Sequence, residues 1–540
     1  MVSRLCQPRS ESAQKAVLNK DDELALYSVV VVGAGISGIA AGCQLSEKLG
    51  CKDFRIFERN GGLGGTWWIQ RYPGVACDVP ASLYSLSFAQ NPAWSTLKPQ
   101  GREILQYLNH ICEKYRIVDK IEFDTEVTRL LWDEDREEWE ITLLHLDSGV
   151  GHLTGREREI RCSERGDAAL YVSEERVRAK VVISAVGKLV EPKIESRHLP
   201  GIENFKGDLI HTGRWRDTIN LRGKAVIVVG SGCSAAQLIP ELVSPRIDAK
   251  SVTQVIRSPP WVTPDVLSPG ALSLWEKWMP WLLIKVPGFT KLVRVVIFLL
   301  LESEYFRYLS SSAITRIRRA ERAEILLSYI RSIAPREYHH MLIPDYDVSC
   351  KRLIRDSAWL RSLNYPRLKL STLEILRIEE NAVVLGPKTQ LKTDHADQEK
   401  VPADAIILAT GYETDTLLPS ISVTGRQGTN LHSLWHDRGG PQAYLGLAMD
   451  RFPNFFLLNG PNSSSSHTSV VIGIENAVLY SLKFIKPILN GSVRWCEPKE
   501  EACRKWTADV QAASGKGVWV MGGCTNWYVS SNGWNGMVYP

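Results

Sequence analysis

One local pattern constrains this chain more than any other, and it occurs twice. A short β-branched strand runs into a glycine turn, and the turn opens a helix. Tyr27 to Ala41 reads YSVVVVGAGISGIAA, and Lys224 to Leu242 reads KAVIVVGSGCSAAQLIPEL. In the first, Gly33, Gly35 and Gly38 follow the strand Ser28 to Val32 at GxGxxG spacing. In the second, the same places hold Gly230, Gly232 and Ala235. The first glycine allows a tight turn, the second lets backbone approach a pyrophosphate, and the third position lets the helix pack closely on the strand. The helix N-terminus then faces the phosphate charge. An ordinary glycine-rich turn in an α/β layer would leave the ends of the following strands unexplained.

Those ends differ. Phe54-Arg55-Ile56-Phe57 runs into Glu58, a carboxylate able to accept both hydroxyls of an adenosine ribose while repelling a 2′-phosphate. Val252 to Ile256 runs into Arg257, whose guanidinium suits a 2′-phosphate; the alternative is a solvated surface charge. The first unit is therefore read as an FAD site and the second as an NADPH site. The fold class is α/β, with two Rossmann-like dinucleotide-binding domains and a helical insert. Val181 to Gly187 (VVISAVG) and Ala405 to Gly411 (AIILATG) look like crossings between the domains, so the NADPH domain is inserted in the FAD domain.

The expected organisation is a polar N-terminal arm over 1–24, then the first part of the FAD domain over 25–188. The NADPH domain spans 189–262 and 350–395, around a helical insert at 263–349; the FAD domain closes with 396–540. Asp147 to Lys180 is expected to be an elaborated surface β-hairpin. The insert contains the most apolar run, WLLIKVPGFTKLVRVVIFLLL from Trp281 to Leu301. Lys285, Pro287, Lys291 and Arg294 interrupt it, so a buried helix is expected rather than a spanning one. A surface resting on a membrane is the alternative.

Composition narrows the rest. A net charge of +5 over 540 residues, with no dense Lys/Arg block, argues against a nucleic-acid partner. The 11 cysteines are odd in number and include no CxxC pair, which argues against a disulfide scaffold, a metal site or a redox-active pair. Reduced thiols in a cytoplasmic protein, with membrane association left open, are the simplest account.

Gly64 to Asp78 reads GGTWWIQRYPGVACD, an order that no core strand or helix requires. In flavoproteins with two dinucleotide sites, the segment after the second strand runs along the flavin. Gly65, Thr66 and Trp67, with Tyr84 downstream, would then contact cofactor, and Pro73-Gly74 would turn the chain to present Asp78. Further on, Phe205 to Trp215 reads FKGDLIHTGRW.

Together these stretches make the chain resemble the Baeyer–Villiger monooxygenases, the ketone-oxygenating branch of the flavin monooxygenases. Phe205, Gly207, His211, Thr212 and Trp215 match the family's FxGxxxHTxxW fingerprint, and Arg216 stands where it has Pro or Asp. Gly65, Trp67, Tyr72, Pro73, Gly74 and Asp78 match its second signature. The resemblance, from Leu26 to Pro540, implies roles for Cys350-Lys351-Arg352. Lys351 would help hold the NADPH 2′-phosphate. Arg352 would sit over the flavin as the cation the oxygen chemistry needs, with Asp78 positioning it. Trp527, in CTNWY, would approach NADPH and substrate. His211 reads as a hydrogen-bonded hinge. The implied partners are molecular oxygen and a bulky hydrophobic ketone, in the manner of fungal members acting on secondary metabolites. The competing readings are nitrogen or sulfur oxygenation, which Arg216 brings closer, and a non-oxygenating NADPH-reducible flavoprotein.

Overall fold

The computed structural model describes residues 24–193, 199–265, 267–355, 357–387 and 398–540. All but the last residue of the expected N-terminal arm lies outside them.

The strands in the first half are β1 (Leu26–Val32), β2 (Phe54–Phe57), β3 (Ile121–Glu122), β4 (Thr125–Asp133), β5 (Glu138–Leu146), β6 (Tyr171–Ser184), β7 (Asp208–His211), β8 (Ala225–Val229) and β9 (Ser251–Val255). They continue with β10 (Leu368–Ser371), β11 (Glu374–Glu379), β12 (Ala382–Gly386), β13 (Glu399–Pro402), β14 (Ala405–Leu408), β15 (Ser422–Thr424) and β16 (Phe455–Leu457). The helices include α1 (Ile36–Leu49), α2 (Gly155–Arg165), α3 (Cys233–Val243), α4 (Pro269–Lys285), α5 (Phe289–Glu304), α6 (Ala313–Ile333) and α7 (Val470–Leu489).

The first sheet has the order β15-β4-β5-β6-β1-β2-β3, with β16 also on β6. β1 lies inside it and pairs in parallel on both sides, Val31 opposite Ile56 and Ile183. Val29, Val30 and Val31 are fully buried. A parallel strand covered on both faces needs an unbroken apolar run rather than alternation, which is what VVVV supplies. The second sheet, β10-β9-β8-β14-β7, is parallel throughout. β14 pairs with both β7 and β8, so the chain returns to the first layer only after Leu408, later than the expected boundary at 396. β11, β12 and β13 form a small antiparallel sheet.

One expectation is met and one is corrected. Between Asp147 and Lys180 the elaborated hairpin is present: β5 and β6 form an antiparallel ladder, and α2 lies in their connection. Its start was written in the sequence: the Thr154 hydroxyl accepts from the Glu157 N–H while the Glu157 carboxylate accepts from Thr154 N–H. The apolar run at 281–301, by contrast, is not a buried helix. It forms parts of two helices, and only one face of α5 packs inward. Ile297, Phe298 and Leu301 meet the core beneath the first sheet, and Arg294 Nη1 donates to the carbonyls of Ser82 and Ser85. The outer side chains stay in solvent. No helix among the described residues is long and apolar enough to cross a membrane.

Candidate active site

At the first glycine turn, Gly33 has φ +102°, and a Cβ there would lie 2.8 Å from the Ala185 carbonyl oxygen. A Cβ on Gly65 would come within 2.9 Å of the Gly35 Cα. The two segments therefore meet as bare backbone, the surface a pyrophosphate or ring edge needs for close approach. Glu58 is buried and already engaged: Oε2 accepts from Ala34 N–H at 2.7 Å, and Oε1 accepts from the Asn60 backbone at 2.9 Å and side chain at 2.6 Å. A carboxylate has about four lone-pair sites, so these bonds orient it and leave capacity for a ribose.

The second turn is more open. A Cβ on Gly232 would meet nothing within 4 Å, which leaves a cradle at the N-terminus of α3, while Ala235 is fully buried under it. Beyond β9, the Lys351 ammonium donates to Ser258 Oγ at 2.8 Å and lies 4.5 Å from the Tyr346 ring centre. Burial, and then the charge of Arg257, pull its pKa below the usual lysine value. Lys351 thus reaches Ser258, the neighbour of the exposed Arg257, and the two cations share this corner. Like charges held together in this way fit a phosphate.

The segment Gly64 to Asp78 joins the two units. Thr66 opens a short helical turn, Thr66–Ile69. The Trp67 indole N–H donates to the Tyr84 hydroxyl at 3.2 Å, with the rings edge to face. The Gln70 amide meets the Tyr412 hydroxyl. The Tyr72 hydroxyl donates to Gln237 Oε1 at 2.8 Å, and Gln237 Nε2 donates to the Ala76 carbonyl at 3.0 Å. Gln237 belongs to α3, so the helix of the second unit clamps the loop that carries Asp78.

Asp78 then meets Arg352. One carboxylate oxygen, Oδ2, accepts from Nε and Nη2, each at 2.7 Å, and Nη1 donates to the Ser466 carbonyl at 3.3 Å. Burial pushes the Asp78 carboxyl up, but the Arg352 charge and hydrogen bonds outweigh it and leave it below the usual carboxylate range. The Asp78 charge in turn raises Arg352. The guanidinium is a permanent cation with a fixed direction. It lines a cleft with Lys351, Ser466 and His467, walled by Glu304, Tyr308 and Leu309 from the helical insert.

Trp527 is partly exposed and packs on Tyr528 with ring centres 4.5 Å apart. Burial raises the Tyr528 hydroxyl to about 12, with the Arg352 charge opposing. A disulfide between Cys350 and Cys524, Cα atoms 6.1 Å apart, ties the Lys351-Arg352 loop to this segment. That corrects the expectation of reduced thiols throughout. The partners are 174 positions apart, and no spacing motif announces a pair brought together only by the fold.

His211 is no base. Its Nδ1 accepts from Gly213 N–H at 3.0 Å, its Nε2 is buried, and its ring packs on Tyr412. Burial, with the Arg214 charge, lowers its pKa to about 4. Arg216 is largely exposed and pairs with Glu157 on α2. Its departure from the fingerprint is a surface feature. Gln237, Ser466 and Tyr412 were missed in the sequence because their contacts cross between distant segments. Lys188 was missed too: it is buried, donates to Ser464 Oγ at 3.1 Å, and is lowered to about 7 by burial.

Comparison with known proteins places the chain in a family. Residues 31–98 match the model of the NAD(P)-binding Rossmann-like domain, and residues 170–296 match that of the flavin-binding monooxygenase-like family. A Baeyer-Villiger monooxygenase of Streptomyces coelicolor is 31% identical over 95% of this chain and 88% of its own length. One from Pseudomonas aeruginosa is 31% identical over 93% and 85%. Among solved structures, a steroid monooxygenase bound to NADP superposes with a TM-score of 0.72 at 25% identity, covering 95% of each chain. An open form of cyclohexanone monooxygenase superposes at 0.70 and 25% identity, covering 92% of this chain and 95% of that one. With near-complete coverage on both sides and an Arg–Asp pair where the two nucleotide layers meet, the chain belongs to the Baeyer–Villiger family of flavin-dependent monooxygenases, oxidoreductases that use FAD and NADPH.

Proposed function

We propose that the protein inserts one oxygen atom of O2 beside the carbonyl of a bulky hydrophobic ketone, giving an ester or lactone. The second oxygen atom leaves as water, and NADPH supplies the two electrons. The observation that carries this reading is the Arg352 guanidinium, held by Asp78 over the cleft beside the Lys351 and Arg257 cations.

FAD would lie along Gly33, Gly35, Gly38 and Glu58, with Gly65, Thr66, Trp67 and Tyr84 beside the ring; when bound and reduced, it supplies the oxygen activation. Gly230, Gly232 and Ala235 would seat the NADPH pyrophosphate, and Arg257 and Lys351 its 2′-phosphate. Trp527 would close over the nicotinamide side. Oxygen insertion builds negative charge first on the attacking oxygen and then on the former carbonyl oxygen. A fixed cation stabilises both without reorganising as the charge moves. Asp78 keeps the guanidinium oriented and prevents an uncompensated charge when the cleft is dry. The cleft lining is mainly charged and polar, with Leu309, Leu353 and Tyr308 its few apolar members, so the bulky substrate rests on likeness to a steroid monooxygenase, which supports a large polycyclic ketone.

The test is product mass with isotopically labelled oxygen. Purified protein and NADPH are given small cyclic ketones, polycyclic ketones, a sulfide and an amine. One labelled atom in an ester or lactone supports the proposal. Label only in a sulfoxide or N-oxide, or hydrogen peroxide alone with every ketone, overturns it.

A further inference from the structure

α4 and α5 form a hairpin whose outer side has the wrong character for water. On α5, Leu292, Val295, Val296, Leu299 and Leu300 are between 46 and 62% exposed. Their spacing is i, i+3, i+4, i+7 and i+8, one continuous helical stripe. The opposite stripe, Ile297, Phe298 and Leu301 with Arg294, is the one that packs on the first core. The helix is therefore apolar on both sides and buries only one. On α4, Leu274, Trp278, Trp281 and Ile284, at i, i+4, i+7 and i+10, are 54 to 61% exposed. Scattered exposed apolar residues need no explanation, but a stripe of this length across two adjacent helices marks an interaction surface.

The charges around it select the partner. The exposed ionisable side chains on this hairpin are Lys277, Lys285 and Lys291 against Glu276. A second copy of the same surface would bring like charges together. Anionic lipid headgroups would instead meet the lysines while the apolar side chains enter the acyl boundary. Tryptophans beside lysines suit that boundary, because an indole has both an apolar body and a polar N–H. Neither helix is long and apolar enough to span.

We propose that the outer face of the α4–α5 hairpin docks in the plane of an anionic lipid bilayer. The inference is independent of the substrate.

The experiment is co-sedimentation of the full FAD-loaded chain with phosphatidylcholine vesicles, with and without phosphatidylserine, at low and high salt. Binding to the phosphatidylserine vesicles that weakens with salt is expected. The triple variant Lys277→Gln/Lys285→Gln/Lys291→Gln should lower that partition coefficient by roughly a hundredfold, since each lysine near such a surface contributes a factor of about five. Leu292→Glu/Leu299→Glu should abolish binding; both side chains are already in solvent, and unchanged FAD fluorescence and melting temperature establish that the variant is folded. No sedimentation with either vesicle overturns the proposal. So does a lipid-independent dimer that Leu292→Glu/Leu299→Glu dissolves, which would assign the face to a second copy. Binding that appears only after removal of residues 1–23 would assign it to the N-terminal segment and also overturn the proposal.

Discussion

Both Nε and Nη2 of Arg352 donate to a single oxygen of Asp78, at 2.7 Å each, across 274 positions of sequence. The third guanidinium nitrogen is anchored on the Ser466 carbonyl. The cation is thus fixed from two segments, neither belonging to its own loop.

Replacing Arg352 separates cofactor use from oxygen insertion. Arg352→Ala should lower ester formation by about a hundredfold to a thousandfold, the usual cost of removing one preorganised charge-stabilising donor. NADPH oxidation should continue, with peroxide as its product. The measurement is the ratio of ester formed to NADPH consumed, and full coupling in the variant would refute the role.

Asp78 gives a pH signature. Its carboxyl ionises below the usual range, so the pair contributes its stability fully above the unfolded carboxylate pKa, about 4. That contribution is lost as pH falls through the lower folded value. Asp78→Asn should cost about 1–3 kcal/mol at neutral pH, less than for a fully enclosed pair. It should also flatten the acid limb of the stability profile, followed by urea unfolding.

Lys351→Ala and Arg257→Ala should each raise KM for NADPH by about tenfold to a hundredfold, the worth of a charge-assisted phosphate contact. KM for NADH should change little. Equal losses with both cofactors would remove the 2′-phosphate from the Ser258 corner.

His211 should stay neutral far below its ordinary pKa. Its folded value is lowered to about 4, so the unfolded chain takes up the proton first. Stability contributed by the neutral ring is complete above about 6.5 and falls as pH drops toward the folded value, by roughly 3 kcal/mol in all. NMR titration of the imidazole checks the value directly, and an inflection near 6.5 would contradict the buried geometry.

The Cys350–Cys524 bond should be found by counting thiols in unfolded protein before and after reduction, with two more appearing after. Reduction should lower the melting temperature, because closing a long loop removes about 4–5 kcal/mol of unfolded-chain entropy.

The sequence by itself determined the two nucleotide units and the loop of Gly64 to Asp78. Their constraints are local: a turn that admits no Cβ, a strand with no alternation, a carboxylate or cation at a strand end. The partners Arg352 and Asp78 could be named only through resemblance, since nothing near either residue specifies the other. Tertiary structure alone decided that Gln237 of α3 clamps the Asp78 loop, that Cys350 reaches Cys524, and that β14 joins the second sheet. It also decided that the apolar run at 281–301 leaves one side in solvent. Hydropathy counts side chains along the chain, whereas burial depends on whether anything arrives to cover the second face of a helix. For α5, packing on the first core covers only one.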